Sequence, residues 1–160
     1  MDRPSQPDPV RIRDARPCEI EALSALCLRS KAHWGYDADF IAACAPYLRL
    51  EPHLVADGCA FVAEDSAGQI LGVCQIDPKG KSGSLDLLFI EPGAIGRGVG
   101  RVLFAEAVQR MKARGETTMT ILSDPDAKPF YERMGARFIK DRPSDVFEGR
   151  NLPWLELDLA

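Results

Sequence analysis

Apolar residues recur at two periods along this chain, and the switches between the two mark its elements. Ile20, Leu23, Leu26 and Cys27 fall at helical spacing behind Pro17, which sits at the first-turn position a helix tolerates. Glu19 and Glu21 lie near the positive end of that helix. Trp34-Gly35-Tyr36 interrupts the stripe, and Asp37 or Asp39 caps a second helix carrying Phe40, Ile41, Cys44 and Tyr47. A short alternating stretch over 10–13 precedes both helices as a strand. From residue 59 the pattern becomes strand-like: 59–64 and 69–76 flank the turn Ser66-Ala67-Gly68 as a hairpin. Residues 85–90 are almost continuously apolar, as a strand covered on both faces requires. Phe104, Ala107, Val108 and Met111 then define a long helix ending near Arg114, with Gly115 as its stop. Strands at 117–122, 136–140 and 152–159 and a helix at 127–134 complete the series. The order β-α-α-β-β-β-α-β-α-β-β describes one mixed α/β domain over 10–160, preceded by a proline-rich flexible tail over 1–9.

Composition narrows the classes. A chain of 160 residues, 46% hydrophobic and 28% charged, buries about two-thirds of its unfolded surface and needs neither disulfides nor metal to hold a core. The net charge of −4 lacks the basic excess of a protein whose partner is a nucleic-acid backbone. Five cysteines, at 18, 27, 44, 59 and 74, are odd in number and contain no C-x-x-C pair. They read as small buried hydrophobes in a reducing compartment. His33 and His53 are the only histidines, which argues against a metal site. No apolar run approaches the roughly 18 residues of a membrane span, so a soluble cytoplasmic protein without membrane partners is expected.

The chemistry concentrates after the buried strand, in Glu91-Pro92-Gly93-Ala94-Ile95-Gly96-Arg97-Gly98-Val99-Gly100-Arg101. A strand leading through glycines into a helix lets backbone N–H groups converge on one point, where the helix adds its positive end; this is an anion site, rimmed by Arg97 and Arg101. The phosphate loop of nucleotide hydrolases needs Gly-Lys-Ser/Thr, and here Arg101-Val102 follows Gly100. The dinucleotide fingerprint fails because its third glycine would fall at Arg101. A glycine turn that only lets helix and strand pack is the remaining plain alternative.

Ile95-Gly96-Arg97-Gly98-Val99-Gly100, preceded by Pro92, resembles the pyrophosphate loop of the GNAT superfamily of acetyl-CoA-dependent N-acetyltransferases, with Ile95 in place of the pattern's Gln or Arg. A second segment, from Ser123 to Ala136, looks like a second motif of that family. Ala127, Phe130, Tyr131 and Gly135 keep their places, and Asp126 is taken to stand where relatives often carry asparagine. The resemblance implies a central, mostly antiparallel sheet of six to seven strands with about four helices, and acetyl-CoA as cosubstrate. It implies that Leu88, Phe89 and Ile90 pair with the pantetheine arm, and that Gly96, Arg97, Gly98, Val99, Gly100 and Arg101 hold the pyrophosphate. Asp126 and Phe130 would complete the cofactor site.

In the same reading Tyr131 is the acid for the leaving thiolate, with a core tyrosine as the lesser alternative. Asp86, an acid inside an apolar strand, is the first candidate base, and Glu91 at the strand end is the second. Segments 30–36 and 149–153 resemble a bacterial subgroup of the superfamily. They suggest an acceptor pocket of His33, Trp34, Tyr36 and Arg150, unless Trp34 and Tyr36 only staple two helices. The function implied is acetyl transfer to a primary amine, of a small molecule or a peptide or protein, by direct attack in a ternary complex. A non-catalytic acyl-CoA-binding or sensing module and a purely structural domain are the rivals. A homodimer is compatible with the resemblance.

Overall fold

A computed structural model describes residues 9–160 and places one seven-stranded sheet between helices. The strands are β1 (Arg11–Asp14), β2 (Ala60–Glu64), β3 (Ile70–Asp77), β4 (Ser82–Ile90), β5 (Thr118–Leu122), β6 (Arg137–Pro143) and β7 (Asn151–Asp158). The helices are α1 (Ile20–Ala32), α2 (Ala38–Cys44), α3 (Pro52–Ala56), α4 (Val99–Ala113) and α5 (Lys128–Arg133). The sheet order is β1-β2-β3-β4-β5-β7-β6, with every pair antiparallel except β4 and β5. The mixed α/β class, the seven strands and the antiparallel majority agree with the expectation. Of the expected flexible tail, residues 1–8 lie outside the described residues.

Three corrections concern local structure. The short helix α3, opened by Pro52 at its first turn, has no counterpart in the sequence reading; five residues give too little periodicity to register. The second helix stops at Cys44 because Pro46 follows, so Tyr47 lies in a tight turn beyond it, while Asp37 is the cap, its carboxylate accepting from the Phe40 N–H at 2.8 Å. Of the cysteines, 27, 44, 59 and 74 are buried as expected, but Cys18, beside Pro17 in the turn before α1, is exposed.

The core lies on both faces of the sheet. Leu103, Phe104, Ala107 and Met111 of α4 pack on Phe61, Cys74, Ile76, Leu85, Met119 and Ile121. On the other face Leu23, Leu26 and Cys27 of α1 meet Val62, Val73 and Leu87. Gly83 lets α4 come close: a Cβ there would stand 2.7 Å from the Met111 Cε and 2.9 Å from the Asp77 carbonyl oxygen.

Strand β4 carries a bulge. Gln75 of β3 pairs with Leu87 and Ile76 with Leu85, so Asp86 is the extra residue between them. The bulge resets the alternation: Leu85 packs on the α4 side, Leu87 and Phe89 on the α1 side, and Leu88 and Ile90 again with α4. An uninterrupted apolar run thereby serves both layers. Its other consequence lies at the β4–β5 seam. The parallel pairing covers only Ser82–Leu85 against Thr118–Ile121, and beyond it β4 pairs with β3 alone. Among the described residues the β5-side edge of Leu88–Ile90 has no strand partner.

Candidate active site

A cavity of about 660 Å³ opens at this split. Its walls come from β4 (Leu88, Phe89, Ile90), the glycine loop and first turn of α4, the β5–α5 junction, the end of α1, and the β6–β7 connection. Gly96 and Gly98 have φ of +85° and +81°, left-handed values that L side chains rarely adopt. A Cβ on either would meet no atom within 4 Å. The loop therefore leaves an open hollow at the N-terminus of a 15-residue helix with no acid in its first turn. The N–H groups of Val99, Gly100 and Arg101 have no carbonyl a turn earlier in the helix to bond, so they and the helix dipole suit an anion. Phe130 stands behind the loop, its ring 3.5 Å from a Cβ placed at Gly100 and edge-on to Phe104 at 6.2 Å.

Tyr131 lies deeper in the same wall. It is 7% exposed, tilted against Phe104 at 6.0 Å, and its hydroxyl takes no hydrogen bond from the described residues. Burial pushes its phenol well above the ordinary value, with Cys74 and Asp124 acting in the same sense. Its ring packs in the core, and the residue also lines the cavity.

At the opposite end four residues from distant parts of the chain meet. Lys31 Nζ lies 2.8 Å from Asp124 Oδ2, and Arg150 Nη2 lies 2.9 Å from Asp124 Oδ1. Arg150 Nη2 also donates to the Tyr36 hydroxyl at 2.9 Å, and that hydroxyl donates to Asp124 Oδ1 at 3.2 Å. Burial would raise the Asp124 pKa, but the hydrogen bond from Lys31 and the charges of Lys31 and Arg150 outweigh it and hold the carboxyl below its ordinary value. Burial, followed by the Asp124 charge, raises the pKa of Tyr36. Tyr36 stacks on Phe40 at 4.3 Å and Phe40 on Phe147 at 4.6 Å, which ties α2 to the β6–β7 connection.

The structure brings most of the sequence candidates to one cavity. Leu88, Phe89, Ile90, Gly96, Gly98, Val99, Gly100, Arg101, Asp126, Phe130, Tyr131, Trp34 and Arg150 line it. Arg97, His33, Tyr36, Asp86 and Glu91 do not. His33 is exposed and packs edge-on to Trp34. Glu91 is held by Arg29 through two hydrogen bonds of 3.1 and 2.7 Å. Asp86 is the bulge residue, accepting from the Ser84 hydroxyl at 2.6 Å. Its side chain reaches solvent, yet crowding by protein atoms raises its pKa. Its place in an apolar strand thus follows from the bulge. Asp126 is exposed on the wall, and the structurally engaged acid is Asp124, three residues before Ala127. Sequence reading missed Lys31 and Asp124, whose partners lie 93 residues apart. Among the described residues no group of three or more His, Cys, Asp or Glu could hold a metal, and no helix is long and apolar enough to cross a membrane.

Comparisons with known proteins agree with this geometry. A search of curated proteins finds no match. Among solved structures, the PaiA N-acetyltransferase of Thermoplasma acidophilum in complex with coenzyme A is similar at a TM-score of 0.75 and 16% identity, covering 94% of this chain and 99% of that one. Apo YjaB from Escherichia coli follows with a TM-score of 0.66 and 25% identity over 94% and 97% of the two chains. The ribosomal-protein-S18-alanine N-acetyltransferase of Escherichia coli matches with a TM-score of 0.68 and 13% identity over 94% of each. The family model of the acetyltransferase (GNAT) domain matches residues 38–157, a span that takes in the bulged strand, the glycine loop and Tyr131. The chain belongs to the GNAT acetyltransferase family.

Proposed function

We propose that this protein transfers the acetyl group of acetyl-CoA to a primary amine by direct attack within a ternary complex. The observation that carries the reading is the pairing of two backbone features on one cavity: the open edge of Leu88–Ile90 and the hollow over Gly96 and Gly98 at the start of α4. The hollow fits a pyrophosphate, whose oxygens would take the free N–H groups of the loop and first helical turn. The open β4 edge fits an extended arm carrying amides, which adds to the sheet as a further strand would.

When bound, acetyl-CoA supplies a thioester whose carbonyl carbon gains a bond to the amine nitrogen and loses its bond to sulfur, while the amine gives up one proton and the thiolate takes one. A backbone N–H at the β4 edge steadies the charge that develops on the carbonyl oxygen. Tyr131, kept protonated by burial, donates to the thiolate, whose ordinary pKa near 8.5 lies below that of the phenol. Such a transfer proceeds only while the thiolate is transient and close. Glu91 is committed to Arg29, and a proton taken by Asp86 from an amine in the cavity would travel through water. Trp34 and Arg150 belong to the acceptor side of the cavity.

Thermal unfolding with acetyl-CoA, CoA, ATP and NAD added separately tests the reading. At 100 times its dissociation constant a ligand adds about 2.7 kcal/mol, or several degrees for a chain of this size. The two CoA species alone should stabilise, and acetyl-CoA with an amine acceptor should release free thiol. A response to ATP or NAD instead, or to none of the four, overturns it. CoA binding without turnover of any amine would favour an acyl-CoA-sensing module.

A further inference from the structure

The Lys31–Arg150 end of the cavity holds more hydrogen-bond donors than the protein itself uses. Two cations share the single carboxylate of Asp124, one on each oxygen. Asp126 and Asp145 on the same cavity wall are exposed, where solvent screens them, although Asp126 is near enough to act on Tyr36. Among the described residues both side-chain hydrogen bonds of Arg150 leave from Nη2, so its Nη1 and Nε hydrogens are unspent there, and Lys31 gives Asp124 one of its three. The donors are also held in place. The Arg150 guanidinium carbon lies 4.9 Å from the Phe40 ring centroid and 5.3 Å from that of Tyr36, and Lys31 Nζ lies 5.3 Å from the Tyr36 ring. The side chain of Lys31 is only 9% exposed and that of Arg150 22%, so a charge arriving there meets little competing water. Leu88, Leu122 and Leu152 add apolar surface to the same cavity wall.

We infer that this end of the cavity receives a carboxylate carried by the acceptor, so that the acceptor is an amine of the amino-acid type. The inference rests on the acetyl-transfer reading above. A carboxylate placed on the free Arg150 and Lys31 donors makes charge-assisted hydrogen bonds with groups already oriented, and its amine then lies toward the β4 edge. A polyamine brings a second positive charge and no acceptor for the unspent Arg150 and Lys31 donors. A neutral amine leaves the unspent donors without a partner.

The test uses wild-type protein and acetyl-CoA, with the twenty protein amino acids, the carboxamide of each, and spermidine as acceptors, following thiol release. CoA binding is measured by calorimetry in parallel. The expected result is a preference for at least one free amino acid over its own carboxamide of about tenfold or more in kcat/KM, the size of one charge-assisted hydrogen bond. Arg150→Gln should remove most of that preference while CoA affinity stays unchanged. Carboxamides or spermidine used as well as or better than the acids would overturn the inference and leave acetyl transfer standing. CoA binding with no amino acid turned over would overturn it too. A protein that binds no CoA fails one level lower, at acetyl transfer itself.

Discussion

The two ends of the cavity are made of different material. At the α4 end the contacts on offer are main-chain groups from one contiguous stretch, Leu88 to Arg101, shaped by a split between β4 and β5 and by two glycines with left-handed φ. At the other end they are side chains, Lys31 from α1, Asp124 from the end of β5 and Arg150 from the approach to β7, with Tyr36 bonded to the last two from outside the lining. A main-chain site depends on backbone shape and tolerates much change in side chains, as Ile95 in place of a polar residue illustrates. A side-chain cluster changes its preference with one substitution. The difference suits a family in which one donor is shared and the acceptors differ.

Breaking the backbone end should have the largest effect. Gly98→Val puts a β-branched residue at a φ of +81° and sends its side chain into the open hollow. The strain of about 1–2 kcal/mol and the loss of charge-assisted bonds worth about 1.5–3 kcal/mol each together predict more than about a hundredfold weaker CoA binding by calorimetry. The Lys31–Asp124–Arg150 cluster has no part in that loop, so the variant should still fold cooperatively. CoA affinity equal to wild type would mean that the glycines serve only the packing of α4.

Tyr131→Phe separates the chemistry from both ends. Removing one hydroxyl from a residue whose ring stays packed on Phe104 should lower kcat by about a hundredfold or more, the ordinary contribution of a general acid, with CoA affinity changed by less than about twofold. Equal loss of affinity and kcat would make Tyr131 a packing residue alone. A kcat near wild type would place the acid elsewhere.

The same contrast decides what the sequence alone could reveal. The strand, glycine loop and helix from 85 to 114 are contiguous, and their apolar spacing and glycines report them directly. The β4 bulge was invisible because both sheet faces are covered and the run is apolar on either register. Asp86 therefore stood out as an anomalous acid, when the extra residue at the bulge accounts for its position. Arg150 and Trp34 carried enough chemistry to be noticed singly. Lys31 and Asp124 did not, since a lysine at a helix end and an aspartate before a proline have ordinary local reasons to be there. Only the chain's return over 93 residues makes them a pair.

A smaller and more selective effect should come from the carboxylate that organises the side-chain end. Asp124→Asn keeps the shape and one acceptor oxygen but leaves Lys31 and Arg150 without a counter-charge, which should cost about 2 kcal/mol of stability at neutral pH. The folded pKa of Asp124 lies below its ordinary value of 3.8, since Lys31 and Arg150 outweigh the effect of burial. The proton therefore binds the unfolded chain more readily. Its contribution is complete above that ordinary value and is lost as pH falls through the lower folded value. Urea unfolding of wild type and variant, compared at pH 7 and again near pH 3, should show the gap between them narrowing, because other carboxylates titrate alike in both proteins. A gap of the same size at both pH values would show that the loss comes from the amide's altered hydrogen bonding. The acceptor end would then be held by geometry and not by charge.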